Sequence, residues 1–557
     1  MGAQIVIKGG TVYDGSGSPG VLADVAITDG KVVEVGPSLS GDRVLDATGH
    51  AVAPGFIDIH THYDAQVFWD PALTPSCYHG VTTVVAGNCG FSIAPTRPED
   101  RVLLAQTLEK VEDMDVAALA AGIPWDFETF PEYLASIERR GTVLNYSAYI
   151  GHTPLRMYVL GDAASDRVAT PEEIDRMAAL VREAMLAGAA GFATSFALTH
   201  RGADGKPIPS RWADRAEFEA LFKAVGDTRR GVVEVTPGEN LSIAEMYELQ
   251  PSIGVPMTYT ALLTMPNGSH LRNLELGRQG WAAGAQVWPQ ITCRPLNFSM
   301  TLLEPFTLNP NAEFASLMGT SVEARAAAYA DPAWRARTKA IWANMMGMVP
   351  RFDTYEIMES AAHPELVGMK LSKIAADIGR EPFDVLLDLA LTEPDLKLRV
   401  KCVVANDDIA GIRELLADSG CTLGLSDAGA HVGQLCDAPM PTDLLGTWVR
   451  EYEALTLEAA IRKLSGVQAD LFGFADRGYL KPGYAADVMV FDPATVAPGP
   501  ARRVRDFPAD TERLTADAPV GVRHVLVNGT PIQIDGVQLP DALAARPGQM
   551  VKPSPRS

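Results

Sequence analysis

Two hydrophobic rhythms alternate along this chain. Short apolar runs rich in Val, Ile, Thr and Tyr fall at residues 55–62, 81–86, 143–150, 190–194, 231–235, 255–260, 285–288 and 422–425. Between several of them the apolar positions recur at helical spacing, most clearly over residues 171–187, 215–230 and 408–418. Short β-rich runs alternating with amphipathic helices form the pattern of parallel βα units. Eight such runs predict an α/β fold, a closed (β/α)8 TIM-like barrel over residues 54–477. The stretch from about 297 to 400 is too long for one loop. Its composition between Ser321 and Met348 predicts an inserted helical subdomain over the active-site face.

Both ends of the chain read differently. Residues 4–8, 21–27 and 31–36 are short strands punctuated by Gly9-Gly10 and Asp29-Gly30, and residues 484–492 and 521–529 repeat that texture near the far end. Neither end buries a core alone, so residues 1–53 and 478–557 are predicted to pack together as one small discontinuous β-sandwich. The tail after about 540, with Arg546-Pro547-Gly548 and Lys552-Pro553, is expected to be loose.

Charge narrows the class of partner. A net charge of −22 with no basic run repels phosphate backbones and anionic membrane surfaces, so neither nucleic acid nor membrane is expected, and a small-molecule substrate is. The N-terminus has no signal-peptide pattern and no run of about 18 apolar residues occurs, so a cytoplasmic protein is expected. Six scattered cysteines in that compartment stay reduced. A homo-oligomer is left open.

The chemistry concentrates at strand ends, where such barrels carry it. Side chains two apart on a strand share a face, so His60 and His62 can aim at one metal ion. Cys89, flanked by Gly87 and Gly90, follows the second strand. Asp427 closes the last one. Two imidazoles, a thiolate and a carboxylate at one rim make a plausible zinc shell. His152, at the end of the third strand, is a candidate donor to an oxyanion. Arg294, Arg201 and Arg211 are candidate clamps for a substrate carboxylate.

The stretch Pro54-Gly-Phe-Ile-Asp-Ile-His-Thr-His62 resembles the first barrel strand of the metal-dependent amidohydrolase superfamily, and Lys481-Pro-Gly-Tyr-Ala-Ala-Asp487 resembles its closing signature. The Gly87-Asn-Cys-Gly90 turn, Gly122-Ile-Pro-Trp-Asp126, Gly151-His-Thr-Pro-Leu-Arg156 and the Ser426-Asp-Ala-Gly429 turn narrow the resemblance to the D-aminoacylase (N-acyl-D-amino-acid deacylase) branch. The resemblance implies a divalent metal, most simply Zn2+. It gives Cys89 the bridging place that a carboxylated lysine holds in many relatives, and makes Asp427 the metal-linked general acid/base.

One departure stands out. The branch presents histidines where this chain reads Met257-Thr-Tyr-Thr-Ala-Leu262 and Val287-Trp-Pro-Gln-Ile-Thr-Cys293. One tightly bound ion is therefore expected, a second is left open, and His270 or Glu234 is the candidate replacement ligand. The implied activity is hydrolysis of a C–N bond in a small non-peptide amide by a metal-bound hydroxide, since bound zinc lowers the pKa of its water from ~15.7 to about 7. A hydantoinase-like cyclic amide or imide hydrolase and a catalytically degenerate scaffold are the alternatives.

Overall fold

The computed structural model describes residues 3–202, 205–345 and 349–556. Its centre is a sheet of eight parallel strands: β1 (Phe56–Asp58), β2 (Val81–Ala86), β3 (Asn145–Gly151), β4 (Gly191–Ser195), β5 (Val232–Thr236), β6 (Met257–Tyr259), β7 (Val287–Ile291) and β8 (Thr422–Leu423). Each strand pairs with the next in chain order. A parallel bridge from Thr61 to Ala428, with the His62 N–H donating to the Ala428 carbonyl at 2.7 Å, joins the first edge to the last. The ring is filled by side chains: Ile57, Ile59, Val85, Tyr149, Val232 and Phe472 are buried together. It is a packed core and not a pore.

The helices form where local signals agree with periodicity. Pro171–Ala187 starts at a Thr170/Glu173 capping box with proline in its first turn, buries Met177, Val181 and Met185, and ends at Gly188 in the left-handed region. The helix expected to reach residue 230 stops at Gly226. A Cβ there would lie 1.9 Å from the Ile253 carbonyl, and Arg229 turns the chain with φ 57°.

Strands from both chain ends join in one nine-stranded sheet. Its first strand, Ala3–Val12, pairs along its first half with Gly41–Asp46 and at its end with Ala51–Pro54, so the sheet branches there around a core of Ile7, Val25, Val52, Val488 and Leu526. Ala51–Pro54 pairs antiparallel with Val488–Phe491 and runs straight into β1. At the junction the Gly55 N–H donates to the Asp487 carbonyl at 2.8 Å. A Cβ on Gly55 would meet Thr82 at 2.2 Å, so only glycine fits.

Three features depart from expectation. The tail is not loose: Tyr146 and Val551 exchange backbone hydrogen bonds with the tail and β3, and Val551 is buried in the barrel core. An apolar side chain with a strand edge to pair has a place to go. The inserted segment is also mixed and not purely helical. Leu296–Thr301, Arg399–Ala405 and Glu356–Glu359 form a three-stranded sheet over a separate aromatic core that includes Phe314, Trp334, Trp342 and Phe383. The helical stretch from Ser321 breaks at Asp331-Pro332 into Val322–Ala330 and Pro332–Asn344, and its end, residues 346–348, lies outside the described residues. Finally, a hairpin of Arg502–Phe507 and Thr511–Thr515 leaves the main sheet and reaches the barrel mouth. There the Leu514 N–H donates to the Val432 carbonyl at 2.6 Å. Among the described residues no helix is long and apolar enough to cross a membrane.

Candidate metal centre and active site

Four predicted residues converge at the C-terminal rim of the barrel. The ligand atoms of His60, His62 and Cys89 all lie within 4.8 Å of one another. His60 Nε2 is 3.1 Å and His62 Nε2 3.7 Å from Asp427 Oδ1, and Cys89 Sγ is 3.7 Å from His60 Nε2. Both histidines and the cysteine are buried. Asp427 lines a cleft of about 270 Å3 shared with Gln66, Cys436, Asp437 and Arg513, and His62 lines a neighbouring one of about 250 Å3 walled by Trp69, Met114, Leu119 and Phe507.

Local geometry explains the convergence. The Asp58 carboxylate accepts the His60 N–H at 3.2 Å, and Ser426 Oγ donates to the His60 carbonyl at 2.9 Å, pinning β1 to the loop after β8. Asp64 accepts the Gly87 N–H at 2.9 Å, and the Asn88 side-chain amide donates to the Thr61 and Val85 carbonyls. The 87–90 turn is thus tied to the first strand. Gly87 and Gly90 have φ 83° and 76°, which glycine adopts freely, whereas Cys89 itself is held at φ 55°. Asp427 also sits at positive φ, 46°.

Donor chemistry tests whether a metal fits. Two imidazole nitrogens, a thiol and a carboxylate face one another, and these are donor types that a divalent ion of the zinc kind takes. Burial works to raise the Asp427 carboxyl, but the two imidazoles outweigh it and hold it well below the usual carboxylate range. His62 Nδ1, on the far side of its ring, is buried without a hydrogen bond and faces Glu112 Oε1 at 3.7 Å. The residues present fit one ion.

The remaining predicted residues lie elsewhere. His152 does not reach the cluster: Nδ1 pairs with Thr194 Oγ1 and Nε2 with Glu217 Oε1, both at 2.8 Å, and Glu217 also binds Arg156. With both ring nitrogens engaged in a buried network, it has nothing to give an oxyanion. Arg294 is held by Asp437 at 2.7 Å and Asp443 at 2.8 Å, which meets its charge inside the protein. Arg201 is exposed and donates to the Gly205 carbonyl. Arg211 donates to the Leu198 and His200 carbonyls, and its Nε is buried without a partner. These last two belong to the loop 199–212, of which residues 203 and 204 lie outside the described residues. His270 accepts the Met265 N–H at 3.2 Å and packs beside Gly411, away from the cluster. Glu234 is beside it. One carboxylate oxygen accepts the Cys89 N–H at 2.9 Å and the other accepts the Thr260 hydroxyl at 3.0 Å, and burial pushes its pKa up to about 7.

Sequence reasoning missed Gln290 and Thr260, which meet His60 Nδ1 at 2.6 and 3.3 Å, and Glu112 behind His62. Gln290 and Thr260 stand in the two stretches where histidines were sought. That attention to strand ends was the only signal.

A rim of buried imidazole, thiol and carboxylate on a (β/α)8 barrel joined to a two-ended β-sheet defines a class of hydrolase, and the sequence agrees: residues 43–533 match the amidohydrolase family, to which this chain belongs. It is a hydrolase acting on C–N amide bonds, in the D-aminoacylase branch. It is 28% identical to a D-aminoacylase of Alcaligenes xylosoxydans xylosoxydans, over 95% of this chain and 94% of that protein. It is 29% identical to an N-acyl-D-glutamate deacylase of the same organism, over 94% and 93%. The crystal structure of an N-acyl-D-glutamate deacylase from Bordetella bronchiseptica, complexed with zinc and a phosphonate inhibitor, superimposes with a TM-score of 0.67 at 26% identity, covering 99% of this chain and 100% of that one.

Proposed function

We propose that this chain hydrolyses the C–N bond of a small non-peptide amide, with N-acyl-D-amino acids as the substrate class, at a site where His60, His62, Cys89 and Asp427 hold one zinc ion. The observation that carries the reading is the convergence of these four donors beside an open cleft at the barrel rim. When bound, such an ion polarises a carbonyl and makes water acidic enough to attack near neutral pH.

The rest is the work of the chain's own residues. The two imidazoles face Asp427 Oδ1, and we assign proton carriage to Oδ2. As water's oxygen bonds to the amide carbon, Asp427 takes its proton. As the C–N bond breaks, Asp427 returns that proton to nitrogen, because an amine cannot leave as an anion. The two imidazoles that face Asp427 keep its carboxyl in the ionised form. The apolar walls of Trp69, Met114, Leu119 and Phe507 keep bulk water from the His62 side. Arg211 is the assigned partner for a substrate carboxylate, because its hydrogen bonds among the described residues go to backbone carbonyls and not to a carboxylate, whereas Arg294 is already neutralised.

Purified protein assayed for metal content and for turnover of N-acetyl-D-amino acids tests this. One zinc per chain with turnover of a D-amide is the expected result. Metal-loaded protein that cleaves no N-acyl-D-amino acid but opens hydantoins would move the substrate to cyclic amides.

A further inference from the structure

Two of the four donors are gripped from behind by one connected set of side chains with no part in the chemistry above. Gln290, at the end of β7, brings Oε1 to 2.6 Å from His60 Nδ1, while its Nε2 donates to Thr258 Oγ1 at 3.2 Å. The second bond fixes which way round the amide lies. An acceptor at Nδ1 requires the ring proton there, so the lone pair is on Nε2, the nitrogen that faces Cys89 and Asp427. Thr260, just beyond β6, stands 3.3 Å from both His60 Nδ1 and Gln290 Oε1, and donates its hydroxyl to Glu234 Oε1 at 3.0 Å. The other oxygen of Glu234 takes the Cys89 N–H at 2.9 Å.

Cys89 needs that grip. Its φ of 55° is one a side-chain-bearing residue keeps only when its surroundings insist. Glu234 and Gln290 are completely buried, and their acceptor oxygens are spent on the backs of the donors and not turned toward the space between them.

We infer that Glu234, Thr260 and Gln290 are positioning residues that set the His60 tautomer and the Cys89 turn, so that one ion meets ligands already arranged. This rests on the metal-site reading above. It gives the stretches where histidines were sought a task of holding ligands and not of supplying them.

Cobalt(II) tests it, because a cobalt–thiolate absorption reports Cys89 directly and a titration reports affinity without any substrate. Wild-type protein should bind one Co2+ per chain with that absorption. Gln290→Leu should bind about 10- to 100-fold more weakly, the usual cost of losing such a partner, with the thiolate band retained. Gln290→Glu keeps an acceptor and should restore most of the affinity. Glu234→Ala should lose the band, and Glu234→Gln should keep it. If Glu234→Ala does not fold, the two Gln290 variants decide alone. Variants that bind as wild type does, or that only unfold at lower temperature with unchanged affinity and band, overturn the positioning role and leave the site intact. Wild-type protein that binds no Co2+, or binds it without a thiolate band, overturns the metal site itself.

Discussion

Two of the buried histidine clusters of the barrel, around His152 and around His60 and His62, differ in what they lack. Around His152, opposite charges and complementary hydrogen bonds close on themselves: Arg156 and His152 both bind Glu217, and Thr194 takes the remaining ring nitrogen. Around His60 and His62 the neighbours are Asp427, Cys89 and Glu112, all of them electron-rich. The first cluster is complete as protein. The second gathers groups whose charge a cation would balance, and it opens on a cleft. A buried histidine is therefore read by the sign of its company more than by its burial.

That contrast can be broken at several points. Replacing His60 and His62 together by alanine should take metal from about one per chain to none and abolish turnover, measured by elemental analysis and assay. A double variant with full metal content would place the ion elsewhere. Asp427→Asn should lower kcat by roughly 10²-fold or more, while metal content changes much less, since the residue loses its base but keeps a donor oxygen.

The closed cluster should respond in stability and not in metal. Glu217→Ala leaves Arg156 and His152 buried without their partner, a change that costs about 3–5 kcal/mol. Urea unfolding should show that loss, with unchanged metal stoichiometry in the folded fraction. A smaller effect follows from pH. Burial holds His152 below its ordinary pKa, with Glu217 pulling the other way. The unfolded chain, titrating near ~6.5, then takes up a proton that the folded chain refuses. The contribution is complete above that value and is lost as pH falls through the lower folded-state pKa. Unfolding followed from pH 7 downward should show it, and a flat profile would mean that His152 is charged in the fold.

The barrel, and the meeting of His60, His62, Cys89 and Asp427 at its rim, were legible because each sits on a strand end announced by β-rich residues and a turn. What holds them was not. Gln290 meets His60 across 230 positions of sequence, and nothing in Val-Trp-Pro-Gln-Ile periodicity marks a side chain as a partner for a residue so far away. The misreading of His152 has the same origin: its place at a strand end was visible, but Glu217, 65 positions on, was not. The mouth hairpin escaped because Arg502-Arg503-Val504-Arg505-Asp506 carries four charges and one apolar residue, with no apolar alternation to announce a strand. The tail escaped because its prolines outweighed the single apolar Val551.

The seam between Ala51–Pro54 and Val488–Phe491 also sets an order of events in the cell. The strand that aims His60 and His62 is anchored by a segment made only after the whole barrel, and Asp427 and the barrel-filling Phe472 also follow β7 in the chain. A ribosome that has made the chain only through β7 has made both histidines and Cys89, but none of these later parts. The four donors therefore come together only after Phe491 has been made, and a chain cut before that point should capture no ion.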